Sequence, residues 1–331
     1  MTRRRLWPVV AIALMLAAGA RPIAVRGVRL LADRDQTPNR PSAKALAERP
    51  VAASAADARL KPARSEKTQP DAHRVISIIP ATTEMLFAMG AGDRVVAVGS
   101  YDRFPAEVEK LPRVGALLDP NVERILSLRP DLVVLYGTQT DLRTQLERAG
   151  VPYFPYVHRG LADITETIRA LGNRVGVQAA AATLAGRVEK QLADVRARVA
   201  TANRPKTLLV FGREPGSLRN IEASGGVGFL HDMLETAGGT DLLGDLKQQA
   251  VTLSTEVVLA RAPEAILELR YARGDTTAAS DLRAWDVLAS VPAVRNRRVL
   301  LLQGEEFVVP GPRVGTATER IARALHPDRF K

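Results

Sequence analysis

The chain has 331 residues, room for about two domains, and 46% of them are hydrophobic, ample material for packed cores. It holds no cysteine, which excludes disulfides, thiolate metal sites and a cysteine nucleophile. The net charge of +11 is concentrated in residues 1–73, with 14 Lys and Arg against 6 Asp and Glu, whereas the rest carries 33 against 30. A nucleic-acid face needs basic side chains clustered on a folded surface and aromatic rings for bases to stack on. With 4% aromatics and a nearly neutral body, no nucleic-acid partner is expected.

At the start, Arg3, Arg4 and Arg5 precede a mostly apolar run from Leu6 to Ala17 and the small residues Ala18-Gly19-Ala20. That order predicts a cleavable export signal over 1–20. The run is short for a bilayer span, and an uncleaved anchor is the alternative. Residues 21–72 mix Arg, Ala, Pro, Ser and Asp without periodicity and are expected to form a disordered arm. Export with no cysteine for lipid attachment predicts a soluble periplasmic protein, not a lipoprotein.

The body alternates strands with helices. RVISII (74–79) reads as a strand, ATTEMLFAMGAG as a helix stopped by Gly90 and Gly92, and VVAVG (95–99) as a second strand. A loop with Pro105, Pro112, Gly115 and Pro120 follows. VERILSLR (122–129) is a short helix capped by Asn121, LVVLYG (132–137) a buried strand, TDLRTQLERAG a helix ended by Gly150, and YFPY (153–156) another strand. From Val177 to Ala202 there is no Pro, and Leu184, Val188, Leu192, Val195 and Val199 recur on one helical face. That stretch is either one long rod or two helices broken near Gly186. TLLVFG (207–212) restarts the alternation, followed by a helix over 228–239, a short helix at Thr255–Arg261, strands at 264–269 and within 294–304, and a closing helix over 313–325. Such alternation implies α/β units with largely parallel sheets.

One phrase occurs twice. NVERILSLRPDLVVL (121–135) and STEVVLARAPEAILE (254–268) align at an offset of 133, matching Glu123 with Glu256, Leu126 with Leu259, Pro130 with Pro263 and Asp131 with Glu264. Each is a short helix, a turn at Pro and a buried strand, so each belongs to its own lobe. The expected organisation is an N-terminal α/β lobe over 73–158, linking helices over 159–203 and a C-terminal α/β lobe over 204–331. The prolines stop the helices and the apolar matches serve the cores, but no core requires Glu123 or Glu256. Their alternative is the favourable pairing of an acid with a helix N-terminus.

The order of PATTE after the first strand, SYDRFP, LPRVG and NVERILSLRPDLVV, then ASGGVGFLHDMLETAGG, STEVVLARAPEAI, VPAVRNRRVLLL and PGPR, resembles periplasmic binding proteins of ABC importers for cobalamin, haem and ferric siderophores, from about Arg74 to Pro327. The cobalamin-binding branch is the nearest likeness, through STEVVLARAP. The resemblance implies two α/β lobes joined by one long backbone helix, a ligand cleft between them, a solute-binding role, and a permease dimer in the inner membrane as partner. A monomer that is not an enzyme is expected. The glutamates that dock such proteins on permease arginines match Glu123 and Glu256, and a pseudo-two-fold protein offering one carboxylate per lobe suits a two-fold partner.

Ligands of open α/β sheets bind beyond the carboxyl ends of the strands. Those ends nominate Pro80, Ala81 and Thr82 at a helix N-terminus, Tyr101, Tyr136, Arg213, Arg270, Phe307 and Arg313 as ligand-binding residues. The hydroxyl and N–H groups after the first strand either meet an anion or cap the helix. In the resemblance, Tyr101 matches a cleft tyrosine of cobalamin binders, corrin-packing tryptophans find only Leu117 and a position near Gln249, and the haem-ligating tyrosine falls on Phe104. A corrinoid ranks first as ligand, a ferric siderophore received by Arg213, Arg270 and Arg313 second, and haem third. No resident cofactor or metal site is expected, because His73, His158, His231 and His326 are scattered and read as ordinary surface or helix histidines. No G-x-S-x-G, Walker A or H-E-x-x-H motif occurs. A sensor or scaffold working without a transporter is the reading from another class.

Overall fold

The computed structural model describes residues 71–271 and 281–331. The expected export signal and all but the last two residues of the expected arm lie outside the described residues. Of those two, Asp71 is exposed, whereas Ala72 is buried and its N–H bonds the Arg174 carbonyl at 3.0 Å.

The first lobe is built on a wholly parallel sheet. β1 (Val75–Ser77) is followed by α1 (Pro80–Ala88), β2 (Val95–Val98), α2 (Val122–Ser127), β3 (Leu132–Tyr136), α3 (Thr140–Arg148) and β4 (Tyr153–Tyr156), with strand order β2-β1-β3-β4. β1 and β3 sit in the centre, and their side chains are buried on both faces apart from the partly exposed Tyr136. That is why LVVLY carries no polar alternation. The loop after β2 holds a single 3-10 turn at Ala106–Lys110.

Two helices leave this lobe, α4 (Leu161–Arg174) and α5 (Gln178–Val199). α5 is one uninterrupted helix of 22 residues that runs through Gly186, about 33 Å long at 1.5 Å per residue. Its buried positions include Leu184, Val188, Leu192, Val195 and Val199, the face legible in the sequence. The long rod is therefore the correct alternative.

In the second lobe, β5 (Lys206–Gly212), β6 (Ile221–Gly225), α6 (Phe229–Thr236), β7 (Thr240–Asp241), β8 (Gln248–Leu253), α7 (Thr255–Arg261), β9 (Ala265–Arg270), α8 (Pro292–Arg295), β10 (Val299–Gln303) and α9 (Val314–Leu325) follow in order. The sheet runs β10-β9-β5-β6-β8, with β7 against β5. β10, β9, β5 and β7 are parallel; β6 runs antiparallel to both β5 and β8. The β6–β8 ribbon departs from the expected alternation. IEASG and QQAVTL are short, and their polar residues gave no strand period.

α5 packs on α4 on one side and on α9 on the other, and α4 in turn packs on α1. One core cluster consequently runs from Ile76 and Val134 through Leu184 and Val188 to Leu267 and Ile321, joining both lobes, while a second, with Val210, Ile266 and Trp285, fills the far side of the second sheet.

The repeated phrase is repeated in structure. Asp131 N–H donates to the Arg74 carbonyl, and its carboxylate accepts from Arg74 N at 2.8 Å; Glu264 N–H donates to the Lys206 carbonyl, and its carboxylate accepts from Lys206 N at 2.8 Å. The residues before the two prolines, Arg129 and Ala262, both adopt left-handed backbone, at φ 48° and 45°. Right-handed helix is disfavoured for a residue preceding proline, and both copies leave their helix through a left-handed residue at that position.

Candidate functional site

A cavity of about 360 Å³ opens at the carboxyl ends of the parallel strands and is walled by both lobes. The first lobe contributes Ile78, Ile79, Pro80 and Ala81 after β1, Tyr101 after β2, the 116–119 loop, Tyr136 at the end of β3, and Tyr156 and His158 at and beyond the end of β4. The second contributes Tyr271 after β9 and Val308, Val309 and Pro310 after β10. Every strand of the first sheet thus delivers its C-terminal end to one place, as open α/β sheets do. The wall is mostly apolar, with a few aromatic and polar groups, which is the composition of a small-molecule site.

Four nominated residues, Pro80, Ala81, Tyr101 and Tyr136, line this cavity. Pro80 opens α1, where its missing N–H costs nothing. Thr82, nominated beside them, does not face the cavity. It is fully buried, its hydroxyl bonding the Ile79 carbonyl at 3.1 Å and Ser77 Oγ at 2.8 Å, and Thr83 bonds the same Ser77. Neither hydroxyl caps α1, nor is either free for an anion.

The nominated arginines are corrected more sharply. Arg213 is completely buried, with Nε 3.0 Å from Glu268 and a guanidinium nitrogen 2.9 Å from Asp281. Arg270 meets the same Glu268 and Asp281, and Trp285 Nε1 donates to Glu268 at 2.8 Å. Burying charge is tolerated only when it is paired and hydrogen-bonded; these arginines form a closed network inside the second lobe, behind the cleft. Arg313, at the start of α9, forks onto Glu84 of α1 at 2.8 and 2.5 Å and lies over the Phe104 ring at 4.2 Å. It ties the lobes together instead of facing a ligand. Phe307 is fully buried under Arg320; its neighbours Val308 to Pro310 take the cavity wall.

Burial favours the neutral form of Tyr136, Tyr156, Tyr271 and His158 in the cavity wall, whereas Asp119, which also lines it, is exposed. Burial pushes the Tyr136 and Tyr156 phenols well up, and Tyr271 up to about 12. Beneath the wall, burial raises the Asp102 carboxyl to about 7. Burial also lowers His158 to about 4. Tyr156 Oη donates to the Pro310 carbonyl at 3.3 Å, across the cleft. His158 is 5% exposed, stacks on Tyr156 at 5.5 Å, meets the Phe229 ring of α6 edge-on at 5.8 Å, and has no hydrogen-bond partner at either ring nitrogen. It is no surface histidine. The signal that would have found it was present: YFPYVH places Tyr156 and His158 at the carboxyl end of the fourth strand.

Glu123 and Glu256 do not line this cavity. Both are exposed, in the first turns of α2 and α7, and neither forms an ion pair among the described residues. A hydrogen bond from Ser254 holds the Glu256 carboxyl below its ordinary value. Among the described residues no three His, Asp or Glu side chains cluster to hold a metal ion, and no helix is long and apolar enough to cross a membrane.

Comparison with known proteins agrees with this architecture. The sequence profile described as periplasmic binding protein matches residues 75–306. A vitamin B12-binding protein of Yersinia pestis is 30% identical over 198 residues, covering 59% of this chain and 69% of that protein. An uncharacterized ABC transporter substrate-binding lipoprotein of Bacillus subtilis is 27% identical, over 78% of this chain and 81% of its own. Among solved structures, the periplasmic vitamin B12-binding protein of Vibrio cholerae superposes with a TM-score of 0.67 at 25% identity, over 78% of this chain and 98% of that one. A periplasmic heme-binding protein from Roseiflexus superposes at 0.65 and 26% identity, over 78% and 99%.

Proposed function

Because the chain belongs to the periplasmic binding protein family, we propose that it captures a corrinoid in the interlobe cleft and delivers it to an ABC permease. It is the solute-binding subunit of an importer for cobalamin or a related chelate. The observation that carries the corrinoid reading is the cleft itself: a mostly apolar, tyrosine-bearing wall drawn from both lobes, with its buried phenols and imidazole uncharged. That surface suits a large, mostly apolar macrocycle. It suits an anionic siderophore less, since Arg213, Arg270 and Arg313 are engaged by internal carboxylates. Haem held by a tyrosine at position 104 is excluded by the residue there, Phe104, whose ring lies under Arg313.

Delivery follows docking of Glu123 and Glu256 on a two-fold permease, a monomer presenting one carboxylate from each lobe. Residues 1–20 supply export to the periplasm.

Equilibrium titration of the purified protein with cyanocobalamin tests the ligand. Tight one-to-one binding that weakens on Tyr101→Ala is expected. Absence of binding overturns the corrinoid assignment and moves the ligand to a ferric chelate.

A further inference from the structure

Asp102 follows Tyr101 of the cavity wall and is fully buried, yet neither of its carboxyl oxygens has a hydrogen-bond partner. Buried polar groups are nearly always hydrogen-bonded, and an exception calls for a reason. The donors beside it are spent elsewhere. The Thr83 hydroxyl of α1 donates to Ser77 Oγ, and the Gly99 N–H donates to the Ser77 carbonyl. Arg113 turns its guanidinium to the carbonyls of Gly99, Asp102 and Val108 and to Glu109. What the carboxyl does approach is an acceptor. A Cβ built on Gly99 would lie 2.8 Å from Asp102 Oδ2 and 2.8 Å from the Ile78 carbonyl oxygen, so both oxygens crowd one point. Two oxygens repel unless one brings a hydrogen, and a protonated carboxyl has one to donate.

The charged and titratable neighbours lead to the same form. Glu84 of α1 raises the Asp102 carboxyl by its charge, and Asp102 in turn raises the phenols of Tyr136 at the end of β3 and Tyr271 after β9. Arg113 opposes the rise, and Arg103 is bonded to the Asp102 carbonyl and lies 3.9 Å from Glu109. Burial outweighs Arg113, so the carboxyl keeps its proton up to about pH 7.

We propose that Asp102 is a positioning residue for the cleft: its neutral carboxyl seats the 100–105 loop, and with it Tyr101, against the first lobe, and its ionisation loosens that loop. In the step, the proton shared with the Ile78 carbonyl leaves to water, and the carboxylate left behind has no donor within the lobe. In the loosened loop the carboxyl is solvated and returns toward its ordinary value of 3.8. Seating is thus fully stabilised below that value, is lost as pH rises toward 7, and changes no further above it. One proton limits the change to about tenfold per pH unit. The seating needs no ligand; its effect on affinity rests on the proposed capture of a corrinoid.

The test is hydrogen exchange of the full chain from pH 5 to 8, read on peptides spanning 99–105 and corrected for the intrinsic rate at each pH, beside cyanocobalamin titrations over the same range. His158, lowered to about 4, titrates below that range. The amides of Ser100 and Asp102, bonded to the carbonyls of Gly115 and Gly99, should lose protection by severalfold or more between pH 5 and 7 and level off above. Affinity for cyanocobalamin should fall in step. Asp102→Asn keeps the shape, cannot ionise and offers an N–H to the Ile78 carbonyl, so it should hold both readouts at their acid values throughout. Protection that ignores pH in the parent, or a pH dependence that survives Asp102→Asn, overturns the inference. Protection that follows pH through Asp102 while cyanocobalamin affinity does not overturns its role in the cleft and leaves the corrinoid reading standing. Protection that follows pH through Asp102 with no cyanocobalamin bound at any pH supports the positioning role and overturns the corrinoid reading.

Discussion

At the scale of single residues, the repeated phrase separates two kinds of acid. Asp131 and Glu264 each hold a backbone N–H at the start of the first strand of their lobe, of Arg74 just before β1 and of Lys206 at the head of β5, so their recurrence has a structural cause. Glu123 and Glu256, eight residues earlier in each copy, hold no such partner and stand in solvent. The first pair has a bonding role in each lobe, whereas the second stands in the first turn of a helix, where an acid complements the N-terminus. Asp131→Ala should lower stability by about 1 kcal/mol, the scale of a net hydrogen bond, since it frees the amides of both His73 and Arg74 in an exposed setting. Glu123→Ala with Glu256→Ala should leave the denaturation midpoint and the affinity for cyanocobalamin unchanged while uptake in cells falls severalfold or more. Normal uptake by that double variant would remove the docking role. The strand-end rule located Pro80, Ala81, Tyr101 and Tyr136 from sequence, because strand ends are legible wherever an apolar run stops. It misled for Arg213 and Arg270, because a pattern shows where a guanidinium begins and not which carboxylate it reaches. Glu268 and Asp281 are 55 and 68 residues from Arg213, and nothing local announces either pairing.

At the scale of elements, the helices and parallel strands were readable because each buries one face or both against a continuous core. β6 and β8 were not, since their pairing is with each other and their residues carry no period of two. α5 shows where propensity and packing disagree. Gly186 interrupts an otherwise strong helical pattern, yet the helix passes through it, because Ala185 and Val188 on either side are buried between α4 and α9. Tertiary packing outweighs the cost of a glycine there. A Cβ added at Gly186 meets nothing within 4 Å, and its φ is outside the left-handed region. Gly186→Ala should therefore stabilise the protein by about 0.5–1 kcal/mol, measured as a rise in the urea midpoint at constant slope. A fall in the midpoint would mean that the glycine serves a bend of the rod during lobe movement.

At the scale of the whole molecule, the lobes are joined by more than the rod. Asp232 of α6 accepts the Leu161 N–H at 2.9 Å, Tyr156 reaches Pro310, and Arg313 forks onto Glu84. The last is the strongest of these links, bidentate and with Glu84 almost fully buried. Burial raises the Glu84 carboxyl above its ordinary value, and Arg313 opposes that rise. Arg313→Ala leaves a buried carboxylate without its counter-ion, a loss of roughly 3 kcal/mol when the acid is charged. The sign of the pH dependence follows. Without Arg313 the folded-state value of Glu84 climbs further above its unfolded value, so the folded state holds a proton that the unfolded state has released. Stability is then retained below the unfolded value near 4.5 and lost as pH rises through the folded value. The deficit of Arg313→Ala relative to the parent should accordingly be small at acid pH and widen toward neutrality. Adding Glu84→Gln removes the titrating group and should recover part of the loss at neutral pH and none at acid pH. Melting temperatures of the parent, both single variants and the double variant across that range decide it; a deficit that does not change with pH would mean that Arg313 stabilises the interface by packing on Phe104 and not by its charge.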